Sequence, residues 1–200
     1  MKIETGDESV DRFIKKVEST IRRDRVKLVL SYCDISVESN SVDGYFSQDN
    51  KEICINAAKP YIQWIDILAH EFNHYIQWKT QACVWKNLDL RESNAYSIFW
   101  DWLDGAMEFN DIIDSVVDRI VAVEHDCEIR TIQMIKDENL PIDIAEYSKT
   151  ANSYLAFLMY VKISRSWSKC DMIGEESVLI KMPSELVEPK ALKELISIFN

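Results

Sequence analysis

The sequence predicts a mostly helical α+β protein in which a small N-terminal β-sheet packs on a helical core, all within a single domain of residues 1–200. Three observations predict this class. Gly and Pro occur only four times each, which is too few for a turn-rich β protein. Several long segments repeat apolar residues at helical spacing. Residues 26–56 are instead rich in residues that favour strands.

The N-terminal region predicts one helix followed by a small sheet. Apolar residues recur at helical spacing over residues 7–25, with arginines near the end of the segment, where cations suit the helix dipole. Residues 26–37 are rich in β-formers and predict one or two strands. Residues 44–46 and 52–56 flank a polar turn, so we expect them to form a hairpin.

The rest of the chain predicts mainly helices. Pro60 suits the first turn of the first of them, and Asn110 suits the cap of the longest. The predicted helices cover residues 60–82, 91–108, 111–136, 144–167 and 190–199, with a short strand at residues 178–182.

The composition limits the classes of partner and the cellular location that we expect. The chain carries 23 basic and 34 acidic residues, a net charge of −11, which disfavours nucleic acids and anionic membrane surfaces as partners. No apolar run reaches the roughly 20 residues that span a membrane. The first ten residues do not resemble a signal peptide. Five cysteines without a C-x-x-C pair predict reduced thiols, and so a cytoplasmic protein.

The predicted helix over residues 60–82 contains the pattern H-E-x-x-H at His70, Glu71 and His74. Histidines one helical turn apart project the same way, so both imidazoles can bind one metal ion. The glutamate beside the first histidine can then take a proton from a metal-bound water. The pattern also occurs by chance, so the rest of the chain must supply the remaining parts of such a site.

The faces of this helix favour a metal site. At about 100° per residue, its polar residues fall in one narrow stripe, which we expect to be wet: Gln63, Asp66, His70, Asn73, His74, Gln77 and Gln81. The alternative is that this stripe simply faces solvent. Glu71 argues against it, because this carboxylate projects among apolar residues, where burial is costly unless the charge is used.

The third ligand is expected on the helix over residues 111–136. Glu124 falls at the centre of its inward apolar face, and Glu128 lies one turn further on. We predict Glu124 as the ligand and Glu128 as the acceptor of a histidine N–H. The reverse assignment stays open, and the two acids could instead line a solvated groove or pair with an arginine. His125 projects outward and is expected to be exposed.

H-E-x-x-H followed by E-x-x-x-E on a later helix resembles the gluzincin class of zinc metallopeptidases, and the compact form resembles the minigluzincins. The resemblance implies a zincin-type helical core, with His70, His74 and Glu124 as ligands, Glu71 as general base and Glu128 holding the first histidine. It also implies that residues 52–56 form an edge strand that pairs with a peptide substrate, although an ordinary hairpin strand is equally compatible. Zn²⁺ is the expected metal, while nickel or iron could occupy the same ligands.

The expected activity is hydrolysis of a peptide bond in a peptide or protein substrate, and such a reaction needs a donor for the developing oxyanion. Tyr154 is the favoured candidate, with Tyr147 and Arg165 as alternatives. A second hypothesis is a catalytically inactive metal-binding interaction protein on a peptidase fold. Glu71 favours the enzyme, whereas several nearby tryptophans that could fill a cleft favour the interaction protein. A protease activated by a partner is a third option.

Overall fold

The computed structural model describes residues 5–37, 40–90, 93–108 and 111–199, and it confirms a mostly helical α+β architecture. The chain divides into two units. The first comprises Met1–Thr80 and Arg130–Ile142, and the second comprises Gln81–Ile129 and Asp143–Asn200. The single domain over residues 1–200 stays a prediction.

Helix α1 (Glu8–Arg22) opens the first unit. The carboxylate of Asp7 caps it by accepting hydrogen bonds from the backbone N–H groups of Ser9 and Val10. Its predicted apolar face is confirmed, since Val10, Phe13, Ile14, Val17 and Ile21 are buried. The helix ends earlier than predicted, and the chain turns through Arg25 with a left-handed φ of 61°.

A three-stranded sheet follows, with strand order β1-β5-β4. The antiparallel pairing of β4 with β5 confirms the predicted hairpin, and β1 pairs with β5 in parallel. A second sheet joins β2 to β3. The strands are β1 (Lys27–Ser31), β2 (Ile35–Val37), β3 (Asn40–Val42), β4 (Gly44–Ser47) and β5 (Glu52–Asn56).

The expectation that residues 52–56 form an edge strand is wrong. β5 is the central strand, with Ile55 opposite Leu30 of β1 on one side and opposite Gly44 of β4 on the other. Its backbone donors and acceptors are therefore engaged on both sides, and an extended peptide has no free edge to join. The edges of this sheet are β1 and β4.

The segment predicted as one helix over residues 60–82 is a short 3-10 helix, Tyr61–Gln63, followed by α2 (Ile65–Thr80). Trp64 separates the two with a non-helical φ of −135°, and its indole N–H donates to the carbonyl of Lys59. α2 ends where Gln81 takes a left-handed φ of 53°. Within the first unit, α2 packs against β4 and β5.

The second unit begins with α3 (Cys83–Lys86), β6 (Asp89–Leu90), β7 (Ser93–Asn94) and α4 (Ala95–Leu103). The prediction of a helix over residues 91–108 is too long at both ends. Asn94 belongs to the β6–β7 pair, and its side chain caps α4 by accepting from the backbone N–H of Tyr96.

Two long helices follow: α5 (Asp111–Glu138) and α6 (Ile144–Ser164). The predicted cap Asn110 lies outside the described residues, so that expectation stays a prediction. α5 is continuous through the unit boundary and contributes residues to both units. α6 begins where the Asp143 side chain caps it and ends at Arg165, which takes a left-handed φ of 50°.

The predicted strand at residues 178–182 is wrong, because this segment lies in and just after α7 (Glu176–Leu179). Val178 and Met182 are buried, whereas Ile180 between them is 75% exposed. In a strand all three side chains would share one face, so the burial pattern is helical. The helix predicted over residues 190–199 is broken into α8 (Leu192–Leu195) and two flanking 3-10 turns.

The second unit has its own apolar core, formed by one face each of α4, α5 and α6 and by C-terminal residues such as Val178 and Phe199. Within the part of the chain that the structure describes, no helix combines the length and the apolar character that crossing a membrane requires.

We expect Gly44→Ala to lower the free energy of unfolding by about 1–3 kcal/mol, because it would overpack the contact of β4 with α2. An added Cβ would lie 2.7 Å from Cγ2 of Ile67 and 3.1 Å from the carbonyl oxygen of Cys54. Gly174→Ala is the control, since its Cβ would meet no atom within 4 Å. The free energy of unfolding of both variants is measured by urea denaturation. Equal values for the two variants would contradict the predicted packing.

Candidate metal centre

The polar stripe around α2 is buried in its middle, although the sequence predicted that it would be wet, whereas Gln63 and Gln81 at its two ends are exposed. Asn73 and Gln77 are 2% and 0% exposed, and His74 is also buried. Burying uncompensated polar groups is costly, so these side chains must be used by the structure. The burial argues against the alternative that the stripe simply faces solvent.

The two histidines of the H-E-x-x-H pattern face each other. The Nε2 atoms of His70 and His74 lie 3.0 Å apart. Two nitrogens bound to one tetrahedral zinc at the usual bond length would lie about 3.3–3.4 Å apart. The observed separation is within a few tenths of an ångström of that value, so the pair fits two ligands of one ion.

Gln77 orients the second histidine. Its Oε1 atom lies 2.9 Å from Nδ1 of His74, one turn further along α2. When Nδ1–H donates to this oxygen, the proton stays on Nδ1 and the lone pair of Nε2 is available to a metal. From the sequence, Glu128 is the residue expected to accept a hydrogen bond from a histidine N–H, and Gln77 has no expected role.

Glu71 is also buried, at 9% exposed, as its position among apolar residues predicted. It directly follows His70 on α2, and Ile67, Leu68 and Tyr75 lie one turn away on the same helix. A buried carboxylate that directly follows a candidate metal-binding histidine suits the role of general base in an H-E-x-x-H site.

Asn73 joins α2 to α5 within the first unit. Its side-chain N–H donates to the carbonyl of Ala69, at 2.9 Å, and to Oγ1 of Thr131, at 3.2 Å. Cys127 lies one turn before Thr131 on α5. The hydrogen bond therefore holds the turn of α5 around Thr131 against the motif helix.

His70, His74 and Cys127 form a group that could hold a metal ion. One ligand atom from each of them lies within 4.8 Å of the other two. Two imidazoles and a thiolate are donors that zinc accepts. Cys127 is fully buried on α5, and the sequence predicts for it no role beyond that of a reduced thiol. Glu124 is not a member of this group, and its role as third ligand stays a prediction.

Glu124 and Glu128 are both buried, at 4% exposed, so they do not line a solvated groove. Each accepts a hydrogen bond from a tyrosine of the second unit. The Tyr96 hydroxyl donates to Oε1 of Glu124 at 2.5 Å, and the Tyr147 hydroxyl donates to Oε2 of Glu128 at 2.5 Å. Hydrogen bonds to a charged acceptor offset part of the cost of burying it.

Tyr96 is the residue of this region that the sequence analysis missed. Burial, and then the negative charge of Glu124, hold the pKa of Tyr96 well above its ordinary value. Tyr154 and Cys127 contribute in the same direction. Tyr96 therefore stays a proton donor. A lone tyrosine on a short helix gives no sequence signal for this role.

The candidates for oxyanion donor differ in their surroundings. The guanidinium of Arg165 donates to the carbonyls of Trp102 and Met107, so it serves the end of α4. Tyr147 is engaged with Glu128. The role of Tyr154 stays a prediction, and its side chain packs against the apolar core of the second unit.

His125 is buried, at 8% exposed, whereas the sequence analysis expected it to be exposed. Its Nε2 lies 3.0 Å from the carbonyl oxygen of Val187. The same segment is bound by the Asn152 amide, which donates to the carbonyls of Pro183 and Glu185 and accepts from the Val187 N–H. The segment around residues 183–187 therefore covers His125, and both polar residues have structural partners.

No protein family, no curated protein and no solved structure matches the chain.

The His/His/Cys group predicts a bond between metal and sulfur. We expect the cobalt(II)-loaded protein to show sulfur-to-metal charge-transfer absorption in the near ultraviolet, and Cys127→Ser to lose this band. Cys54→Ser is the matched control, because Cys54 is also buried but lies on β5. A band that survives unchanged in Cys127→Ser would contradict the participation of this thiol.

Proposed function

We propose that this protein is a zinc-dependent metallopeptidase that hydrolyses peptide bonds, with Glu71 as the general base. The observation that carries the proposal is the approach of the two Nε2 atoms of His70 and His74 on α2, the helix that also carries the buried Glu71 directly after His70. A site that only binds metal for stability has no need of that carboxylate.

Zinc is the metal that the donor set favours. Two imidazoles on one helix, with a third donor from α5, form a three-ligand set typical of catalytic zinc. Glu124, which the resemblance implies, and Cys127, which lies in the group with the histidines, are the two candidates for that donor. Bound zinc would polarise the substrate carbonyl and lower the pKa of a water molecule.

Residues of the protein would transfer the proton, orient the histidine and stabilise the oxyanion. Glu71 accepts the proton of the attacking water and returns it to the leaving amine. Gln77 keeps the ring of His74 in one tautomer and one orientation. Tyr154 donates its hydroxyl proton in a hydrogen bond to the developing oxyanion, since such charge needs a donor aimed at it.

An extended peptide is the substrate that the first unit suits. β4 is an edge of the three-stranded sheet and packs against α2, the helix that carries the motif. Backbone pairing along this edge would hold a peptide in extended form. β4 thus takes the place that the sequence analysis gave to residues 52–56.

The proposed location is the cytoplasm, and the proposed partner is a peptide or protein substrate. All five cysteines are free thiols, which suits a reducing compartment. The net charge of −11 does not suit nucleic acid or an anionic membrane surface.

A catalytically inactive, metal-stabilised interaction protein is the second candidate. The presence of Cys127 in the group favours it, because thiolates are the most frequent ligands of structural zinc sites. The two functions differ in whether the zinc-loaded protein cleaves peptides.

We expect Glu71→Gln to retain zinc and to lose peptide hydrolysis by a factor of about 10²–10⁴, because it removes the proton acceptor and keeps the side-chain size. Zinc-loaded wild type and variant are incubated with a mixed peptide library, and cleavage is followed by mass spectrometry. Glu194→Gln is the control, since Glu194 is exposed on α8.

Two results would oppose the proposal. Equal cleavage by wild type and Glu71→Gln would remove Glu71 from the mechanism. Zinc binding by the wild type without cleavage of any library peptide would favour the interaction protein.

A further inference from the structure

Tyr96 is fixed at both its ends. At the backbone, its N–H donates to Oδ1 of Asn94 at 2.9 Å, in the cap that begins α4. At the tip of the side chain, its hydroxyl donates to Oε1 of Glu124 at 2.5 Å. A tyrosine has only two side-chain torsions, so these two contacts leave the hydroxyl little freedom to move.

Glu124, which accepts this hydrogen bond, is one of the two candidates for the third ligand of the metal, and Cys127 is the other. Glu124 and Cys127 lie three residues apart on the inward face of α5, and both are buried. The Tyr96 hydroxyl lies 2.5 Å from Oε1 of Glu124, and therefore at the turn of α5 that carries both donors. A carboxylate with one oxygen held by a donor keeps its other oxygen in a fixed direction.

One turn further along α5, a second tyrosine makes a contact of the same kind. Tyr147 donates to Glu128 over the same distance, 2.5 Å, and Glu128 is as buried as Glu124. Both tyrosines belong to the second unit, and both bind a carboxylate of α5. The two contacts differ in their distance from the metal: Tyr96 binds a candidate ligand, whereas Tyr147 binds Glu128, which is expected only to hold a histidine that is itself a ligand.

We propose that Tyr96 is a positioning residue of the metal centre: its hydroxyl fixes Glu124 beside Cys127 and thereby sets how tightly α5 holds the metal. This inference rests on the proposed function, because it requires a metal bound by α2 and α5. Tyr96 touches neither metal nor substrate in this account, and it acts through Glu124. Partners that orient a metal ligand typically change metal affinity by about 10–100-fold when they are removed.

The test compares Tyr96→Phe with Tyr147→Phe. Each variant removes one hydroxyl that binds a buried carboxylate of α5, so they perturb the protein in the same way. Zinc affinity is measured by competition with a chelating dye, and the visible spectrum of the cobalt(II) form is recorded. Thermal unfolding of the metal-free proteins checks that both variants fold.

We expect Tyr96→Phe to weaken zinc binding about 10–100-fold and to alter the cobalt spectrum, whereas Tyr147→Phe weakens binding by a smaller factor, because Tyr147 acts one contact further from the metal. A changed spectrum reports altered ligand geometry, which a loss of fold stability alone would not produce.

Three results would overturn the inference. Unchanged affinity and spectrum in Tyr96→Phe would show that the hydroxyl does not position a ligand. Equal losses in both variants would indicate general loosening of α5. A wild type that binds neither zinc nor cobalt would remove the proposed function together with this inference, whereas the first two results leave the proposed function standing.

Discussion

The structure depends on the burial of a polar face on α2. Asn73, His74 and Gln77 lie where an ordinary amphipathic helix would carry apolar residues. Their burial is tolerated because each has a partner: Asn73 donates to Thr131, and Gln77 binds the ring of His74. A helix of this kind can hold two imidazoles in fixed directions, which an exposed helix with mobile side chains cannot do.

Helix α5 also buries polar side chains in an apolar face, and in this helix they are charged. Glu124 and Glu128 are carboxylates in a largely apolar face, and each accepts a tyrosine hydroxyl. Neutral donors offset only part of the cost of burying a carboxylate, so a cation near these groups would stabilise them further. The buried Cys127 between them adds a donor that is neutral as a thiol and anionic as a metal ligand.

Much of the fold could be predicted from the sequence, because it is encoded by local periodicity. The apolar face of α1, the β4–β5 hairpin and the helix around the H-E-x-x-H pattern follow from spacing over a few residues. The central place of β5 could not be predicted, since it depends on parallel pairing with the distant β1. Residues 178–182 were misassigned because a short apolar run suits a strand and a helix equally well.

The candidate site also has a part that could be predicted from the sequence and a part that could not. The arrangement of His70 with His74 and the burial of Glu71 follow from positions on one helix. Tyr96 could not be found, because its contact with Glu124 spans 28 residues and joins two helices. Cys127 was overlooked for a chemical reason: a buried cysteine packs like a small apolar residue, and only its neighbours distinguish it from a ligand.

The most direct test of the account is the zinc content of the purified protein, measured by elemental mass spectrometry for wild type and His74→Ala. The account predicts about one zinc per chain in the wild type and its loss in the variant, because His74 supplies one of the three protein ligands. A wild type that contains no zinc, and takes up none when zinc is added, would contradict the metal centre. The H-E-x-x-H pattern would then be a chance feature of a buried polar face.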